Sequence, residues 1–236
     1  DDKDWRGAPD MSMGAKDGEL VEAEAVGGRR LGLPAAQVVA RLGDPAGPRA
    51  ASLIAIHQHG IPDVFPDAVI AEADRAEPVG MAGREDLRDL PLLTIDPVDA
   101  RDRDDAVLAQ ADTDLGNIGG FVIWVAIADV AHYVTPGSAL DREARKRGNS
   151  TYFPDRVVPM LPDILSGDLC SLHEGVDRAC LAVRMVIDRE GHKRSHRFVR
   201  GMMRSAASLH YAQVQAAVDG APDEKTAPLV EPVLKP

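Results

Sequence analysis

Cysteine is nearly missing: the 236 residues hold two, Cys170 and Cys180. Two thiols are too few for a disulfide framework and lack the paired spacing of a metal knuckle, so a reduced, cytoplasmic protein is expected. Long apolar runs are also missing. None approaches the roughly 18 residues that a membrane span needs, which predicts no membrane association. The first residues, DDKDWRGAPD, have neither the basic n-region nor the apolar h-region of a secretory leader. Positive charge is in deficit: 27 Lys and Arg stand against 38 Asp and Glu, for a formal net charge of −11. Taken alone, that deficit argues against a nucleic-acid binder, because phosphate contacts need surplus cationic side chains. Net charge is an average, however, and a local basic stretch or a bound cation reverses it. Internal repeats and low-complexity tracts are absent.

What remains is ordinary for a globular chain, with 44% hydrophobic and 28% charged residues. The length suits one large domain or two small ones. ELVEAEAV (19–26) alternates as a strand does, Gly27-Gly28 is a turn, and AAQVVARLG (35–43) is a second strand. Together they suggest an incomplete small β-barrel. ASLIAIHQHG (51–60) predicts a helix ending at Gly60, and Pro66-Asp67 opens another. His57 and His59 fall on different faces of the first helix, which argues against a shared metal. From Leu90 onward, LPLLTID and AVLAQA read as strands, and FVIWVAIADVAHYV (121–134) as a buried central strand. SALDREARKRG (138–148) reads as a helix capped by Ser138 and ended by Gly148. Two strands flank the Glu190-Gly191 turn, and AASLHYAQVQAAV (206–218) is an amphipathic helix. Trp124 and Phe198 are expected in the core, and His192 and His196 at the surface.

The stretch TIDPVDARDRDDAV (94–107) carries five aspartates in ten positions: Asp96, Asp99, Asp102, Asp104 and Asp105. Carboxylates crowded together raise one another's charged-state energy. In an extended chain Asp102 and Asp104 share a face and Asp105 points away, while the PVDAR loop can fold Asp96 back toward them. A hard divalent cation resolves the crowding, and Mg²⁺ suits a few carboxylates with positions kept for water and phosphate. Metal-assisted hydrolysis of a phosphodiester follows as a chemistry. The other reading is a solvated turn, with Arg101 and Arg103 pairing with the acids. An EF-hand is excluded: from Asp102, position five is Ala106 and no Gly stands at six.

The aspartate stretch resembles the signature T-I-D-x5-D-x-D-D-A-[VL] of the ribonuclease II / ribonuclease R (RNB-domain) family. Here it reads Thr94-Ile95-Asp96, then Asp102-Arg103-Asp104-Asp105-Ala106-Val107. VAIADVAHYV, LDREARKRGNSTYFPDRVVPMLPDILSGDLCSL and SAASLHYAQVQ resemble later motifs of the family, in order. KDGELVEAEAV, RRLGLPAAQVVARLGDP and ASLIAIHQHGIPDVFP resemble the end of its second cold-shock-like barrel and the connector after it. The resemblance implies an α+β chain: a partial OB-type (cold-shock-like) β-barrel over 1–48, a helical connector over 49–83, and the N-terminal part of a mixed α/β RNB catalytic domain over 84–236. It implies a processive 3′→5′ exoribonuclease that releases nucleoside 5′-monophosphates and uses Mg²⁺ or Mn²⁺. Asp96, Asp102 and Asp105 would hold or support the metal, and turnover would depend most on Asp104. Tyr152 would pack on the 3′-terminal base of single-stranded RNA. Expected too are a monomer and neighbours among ribosome- or RNA-decay-associated proteins.

Several residues allow two readings. Arg142, Arg145, Lys146 and Arg147 could line an RNA path or form a solvated helix face with Asp141 and Glu143. Asp129 could support the site from behind or make a strand-end hydrogen bond. The family's later T-S-P-I-R-R-Y signature, its phosphate-gripping arginines and its S1 barrel have no counterpart in the sequence. The chain is therefore expected to be a piece of a longer enzyme. Two alternatives follow: a catalytically inactive RNA-binding or interaction module of the same fold, and a metal phosphoesterase acting on small molecules.

Overall fold

The computed structural model describes residues 4–27, 33–47 and 50–236. The turn expected at Gly27-Gly28 falls partly outside them. The chain divides into two compact units, Asp1–Phe65 with Arg147–Met160, and Pro66–Lys146 with Leu161–Pro236.

In the first unit, β1 (Leu20–Ala25) and β2 (Ala36–Gly43) pair antiparallel, with register shifts after Leu20 and Glu22. Alternation in β2 turns Ala36, Val38 and Ala40 inward and Gln37, Val39 and Arg41 outward. Arg41 grips Glu19 at 2.9 Å. Helix α1 (Ala50–Gln58) buries Ala50, Ser52 and Ile56. Its Ser52 hydroxyl donates to Asp155 Oδ2 at 2.9 Å, which ties the helix to the hairpin of residues 151–158.

The second unit begins with α2 (Asp67–Ala73), opened after Pro66 as the sequence predicts. Next come β3 (Glu85–Asp86), β4 (Leu93–Asp96), β5 (Asp105–Ala111), β6 (Phe121–Ala128), the single-turn α3 (Val130–Tyr133) and α4 (Ala139–Arg147). Ser138 caps α4 by accepting from the Asp141 N–H, and Gly148 follows it at φ +78°. Strands β7 (Thr151–Phe153) and β8 (Arg156–Val158) form the hairpin of the first unit. The second unit resumes with β9 (Asp177–Ile187), β10 (Lys193–Arg204), β11 (Ala207–His210) and α5 (Tyr211–Val218).

Seven strands make one mixed sheet in the order β11-β4-β5-β6-β9-β10-β3. The pairs β11–β4 and β10–β3 are parallel and the rest antiparallel. Register places Leu108 opposite Trp124, Ala106 opposite Ala126 opposite Ala182, and Ala128 opposite Cys180. This face is buried, with Leu140, Leu165 and Leu172 among the deepest side chains of the chain. Gly201 serves the same close packing: a Cβ there would stand 2.5 Å from Leu87 Cδ1.

Three expectations need correction. The apolar run 121–134 is strand only to Ala128; Asp129 ends it and residues 130–133 coil into a helical turn. The helix expected over 206–218 starts at Tyr211, because Ala207–His210 instead supplies a parallel partner for β4. His210 then caps the helix, its Nδ1 accepting from the Gln213 N–H while the Gln213 side chain accepts from the His210 N–H. Phe198 is not core. It lies opposite Val183 in β9, which lies opposite Val125 in β6, on the face away from Trp124, and is 67% exposed. Trp124 is buried.

Candidate metal centre

The aspartates sit where β4 leaves the sheet and β5 enters it. Asp96 closes β4, residues 97–104 loop back without regular structure, and Asp105 opens β5. Asp96 lies level with His210 of β11 and is half-buried. Asp104 is held at the far end of the loop, where its carbonyl accepts from the Ala128 N–H at 2.9 Å.

Electrostatics show that the four carboxylates sense one another. Burial pushes the Asp104 carboxyl above its ordinary range, and the charges of Asp102, Asp105 and Asp96 push it further. Asp104 keeps solvent exposure, so this is the desolvation of a crowded surface position, not of an enclosed one. Asp96 is also raised, first by burial and then by Asp105 and Asp102, with Arg103 and a Thr94 hydrogen bond opposing. Asp99 is exposed on the turn.

The residues suit a divalent cation by donor chemistry: four hard carboxylates with like-charge strain that a cation relieves. Asp96 Oδ2 is buried with no hydrogen-bond partner, and a buried carboxylate oxygen normally finds one. Among the described residues, no three His, Cys, Asp or Glu side chains are already drawn into a coordinating group. The fit therefore rests on the donor set and the orphaned oxygen, not on a closed coordination shell. Arg103 Nε is itself buried and without a hydrogen-bond partner, so this nitrogen does not make the pairing with the acids that the solvated-turn reading expects.

The loop is braced from the end of the motif over 140–172, at residues to which the sequence assigned no role. Residues 164–169 form a π-helical turn, and Ser171 and Leu172 after it bond to the backbone of Arg101 and Arg103. Seventy residues of sequence separation lie between Ser171 and Arg101, so no local pattern signals the contact.

Other candidates resolve individually. Tyr152 stands 65% exposed on β7, in the first compact unit. On α4, Arg145 pairs with Asp141 at 3.1 Å and Arg142 donates to the Gly137 carbonyl. Lys146 approaches Glu143 at 3.9 Å. Arg147 donates to the carbonyls of Pro159 and Val64 and lies 3.6 Å over the Phe65 ring. These pairings favour a solvated helix face over a phosphate path. Asp129 forms a buried pair with Arg84 at 2.7 Å. Cys170 and Cys180 are buried, their thiols pushed up to about 12 and about 11, chiefly by desolvation, which removes them as nucleophiles. No helix among the described residues is long and apolar enough to cross a membrane.

Comparison with known proteins adds a second line of observation. A model of the RNB domain matches residues 84–235, and a cold shock domain model matches residues 4–66. Ribonuclease R of Escherichia coli (strain K12) is 43% identical over 230 residues, covering 94% of this chain and 28% of that protein. Ribonuclease R of Acidithiobacillus ferrooxidans is 47% identical over 192 residues, covering 80% of this chain and 43% of that protein. The chain thus spans less than half the length of these relatives. Among solved structures, Mycoplasma genitalium RNase R in complex with double-stranded RNA superposes with a TM-score of 0.83 at 27% identity. That match covers 94% of this chain and 40% of the other. Yeast Ssd1, a pseudonuclease, shares the fold with a TM-score of 0.67 at 18% identity, over 95% of this chain and 30% of its own.

Proposed function

Because the chain belongs to the RNB-domain family, we propose that it carries the metal-binding part of a processive 3′→5′ exoribonuclease that hydrolyses RNA to nucleoside 5′-monophosphates. The observation that carries this reading is the carboxylate cluster with the orphaned, buried Asp96 Oδ2. The fold by itself decides less, since a pseudonuclease shares it.

Asp96, Asp102, Asp104 and Asp105 would hold Mg²⁺, with Mn²⁺ as a substitute of similar hardness. When bound, the cation supplies Lewis acidity at the scissile phosphate and takes up developing negative charge. The chain's residues do the positioning. Asp96 is fixed by its place beside β11, and Asp104 by its carbonyl bond to Ala128. Tyr152, exposed on its hairpin, offers a ring face to the 3′-terminal base. Stacking of this kind contributes about 1–3 kcal/mol per base and tolerates every base, as a non-specific nuclease requires.

The division we propose is a partial barrel over 1–48, a connector over 49–83 and the catalytic part over 84–236. The protein acts as a cytoplasmic monomer on single-stranded RNA 3′ ends, in company with ribosome- or RNA-decay-associated proteins.

The test is cleavage of 5′-labelled single-stranded RNA with Mg²⁺ by this chain and by Asp104→Asn. The expected result is progressive shortening from the 3′ end, lost in the variant. Internal cuts, or equal shortening by both proteins, would overturn the reading. RNA binding without cleavage by either would favour the inactive binding module.

A further inference from the structure

The loop that carries Asp102 is anchored by a hydroxyl from elsewhere in the chain. Ser171 Oγ donates to the Arg101 carbonyl at 3.0 Å and accepts from the Arg103 N–H at 3.0 Å. These two anchors flank Asp102 on either side. One residue further, the Leu172 N–H donates to the Arg103 carbonyl at 2.9 Å. Ser171 is fully buried, at 0% exposure.

The anchor itself is held rigidly. The Ser171 N–H donates to the Asp168 carbonyl at 2.8 Å, and its own carbonyl accepts from Arg178 Nε at 3.0 Å. Arg178 also grips the Asp168 carboxylate. Cys170 N–H closes onto the Leu165 carbonyl at 2.7 Å, an i to i−5 bond that ends the π-helical turn. Residues 97–104 have no strand or helix bonds of their own. Satisfying a carbonyl and an N–H two residues apart with one buried hydroxyl fixes the backbone between them, as a strand pairing would.

We propose that Ser171 is a positioning residue for the metal centre: its hydroxyl sets the backbone on both sides of Asp102, so that this carboxylate is presented with Asp96, Asp104 and Asp105 to a divalent cation. The inference rests on the metal-binding reading above. Without the hydroxyl, the Arg101 carbonyl and Arg103 N–H lose their partner and the loop shifts to find others. A shift of a few tenths of an ångström suffices to spoil ligand geometry.

The test is Mn²⁺ binding, followed by electron paramagnetic resonance, on wild-type chain and on Ser171→Ala, Ser171→Cys and Ser171→Thr. Thermal unfolding in chelator runs alongside. Ala and Cys both remove the strong hydroxyl but change packing in opposite directions, so each checks the other. The expected result is Mn²⁺ affinity lowered by about tenfold in whichever of these two folds, the loss of one or two hydrogen bonds. Thr, which keeps the hydroxyl, restores it. A purely structural role would lower the melting temperature and leave Mn²⁺ affinity unchanged well below it. Full affinity in either folded variant overturns the proposal while leaving the metal centre intact. Failure of the wild-type chain to bind Mn²⁺ would instead remove the metal reading, and this inference with it.

Discussion

Burial raises the Asp104 carboxyl, and the charges of Asp102, Asp105 and Asp96 raise it further, which bears on stability. Folding tightens its hold on the proton, so the stabilisation is fully present below the ordinary value of 3.8 and is lost as pH rises through the raised value. At neutral pH the ionised group works against the fold. Asp104→Asn carries no such charge. In chelator, the variant is therefore expected to melt above the wild type near neutral pH, with the gap narrowing as pH falls into the carboxylate range. Melting scans at several pH values check this, and a variant less stable than wild type at neutral pH would count against the crowding argument. The spacing that marks the carboxylates is visible in a line of text. The contact from Ser171 to Arg101, across 70 residues, is not.

Elements were legible where pairing is local and ambiguous where it is not. The β5–β6 and β9–β10 hairpins follow from alternation and turn residues that sit close in sequence. By contrast, Ala207–His210 has helix-compatible composition and becomes a strand only because β4 offers it a parallel edge. The run after Phe121 ends at Asp129 because that residue has a buried partner to meet. Arg84 and Asp129 have side chains only 5% and 4% exposed, and Arg200 stands 3.9 Å from the same carboxylate. Arg84 also reaches the Gly201 carbonyl, so the pair joins the segment before β3 to the end of β6 and to β10. Removing one partner leaves a charge in a dry place, which typically costs about 3–5 kcal/mol, whereas replacing both with apolar groups can be nearly neutral. Urea unfolding of Arg84→Met, Asp129→Leu and the double variant should show the first as strongly destabilised and the double variant as the milder change. A double variant as unstable as the sum of the singles would mean that the two residues do not act as a pair.

At the scale of the second unit, composition foretold a core but could not say which face of the sheet it covers. FVIWVAIA reads as apolar throughout, and both faces would be expected to be buried alike. Register instead separates Trp124, Ala126 and Ala128, all buried, from Ile127, which is 45% exposed. Ile127 lies opposite Leu181, 47% exposed, and Phe198 sits two positions along the same face at 67%. Helix α5 and the C-terminal turn of residues 230–234 pack toward the β4–β5 end of the sheet, leaving these three side chains in water. Contiguous exposed apolar groups bind hydrophobic dyes. The chain in isolation is therefore expected to enhance ANS fluorescence while keeping a cooperative thermal transition, which a loosened molten state would lack. Phe198→Thr should lower the dye signal and, as a change at a mostly exposed strand position, alter stability by only about 0.5 kcal/mol. Leu181→Thr should lower the signal further. Dye binding unchanged in both variants would place the responsive surface elsewhere. No dye binding by the wild-type chain, with sedimentation showing a dimer, would mean that a second copy covers the face, against the monomer proposed above.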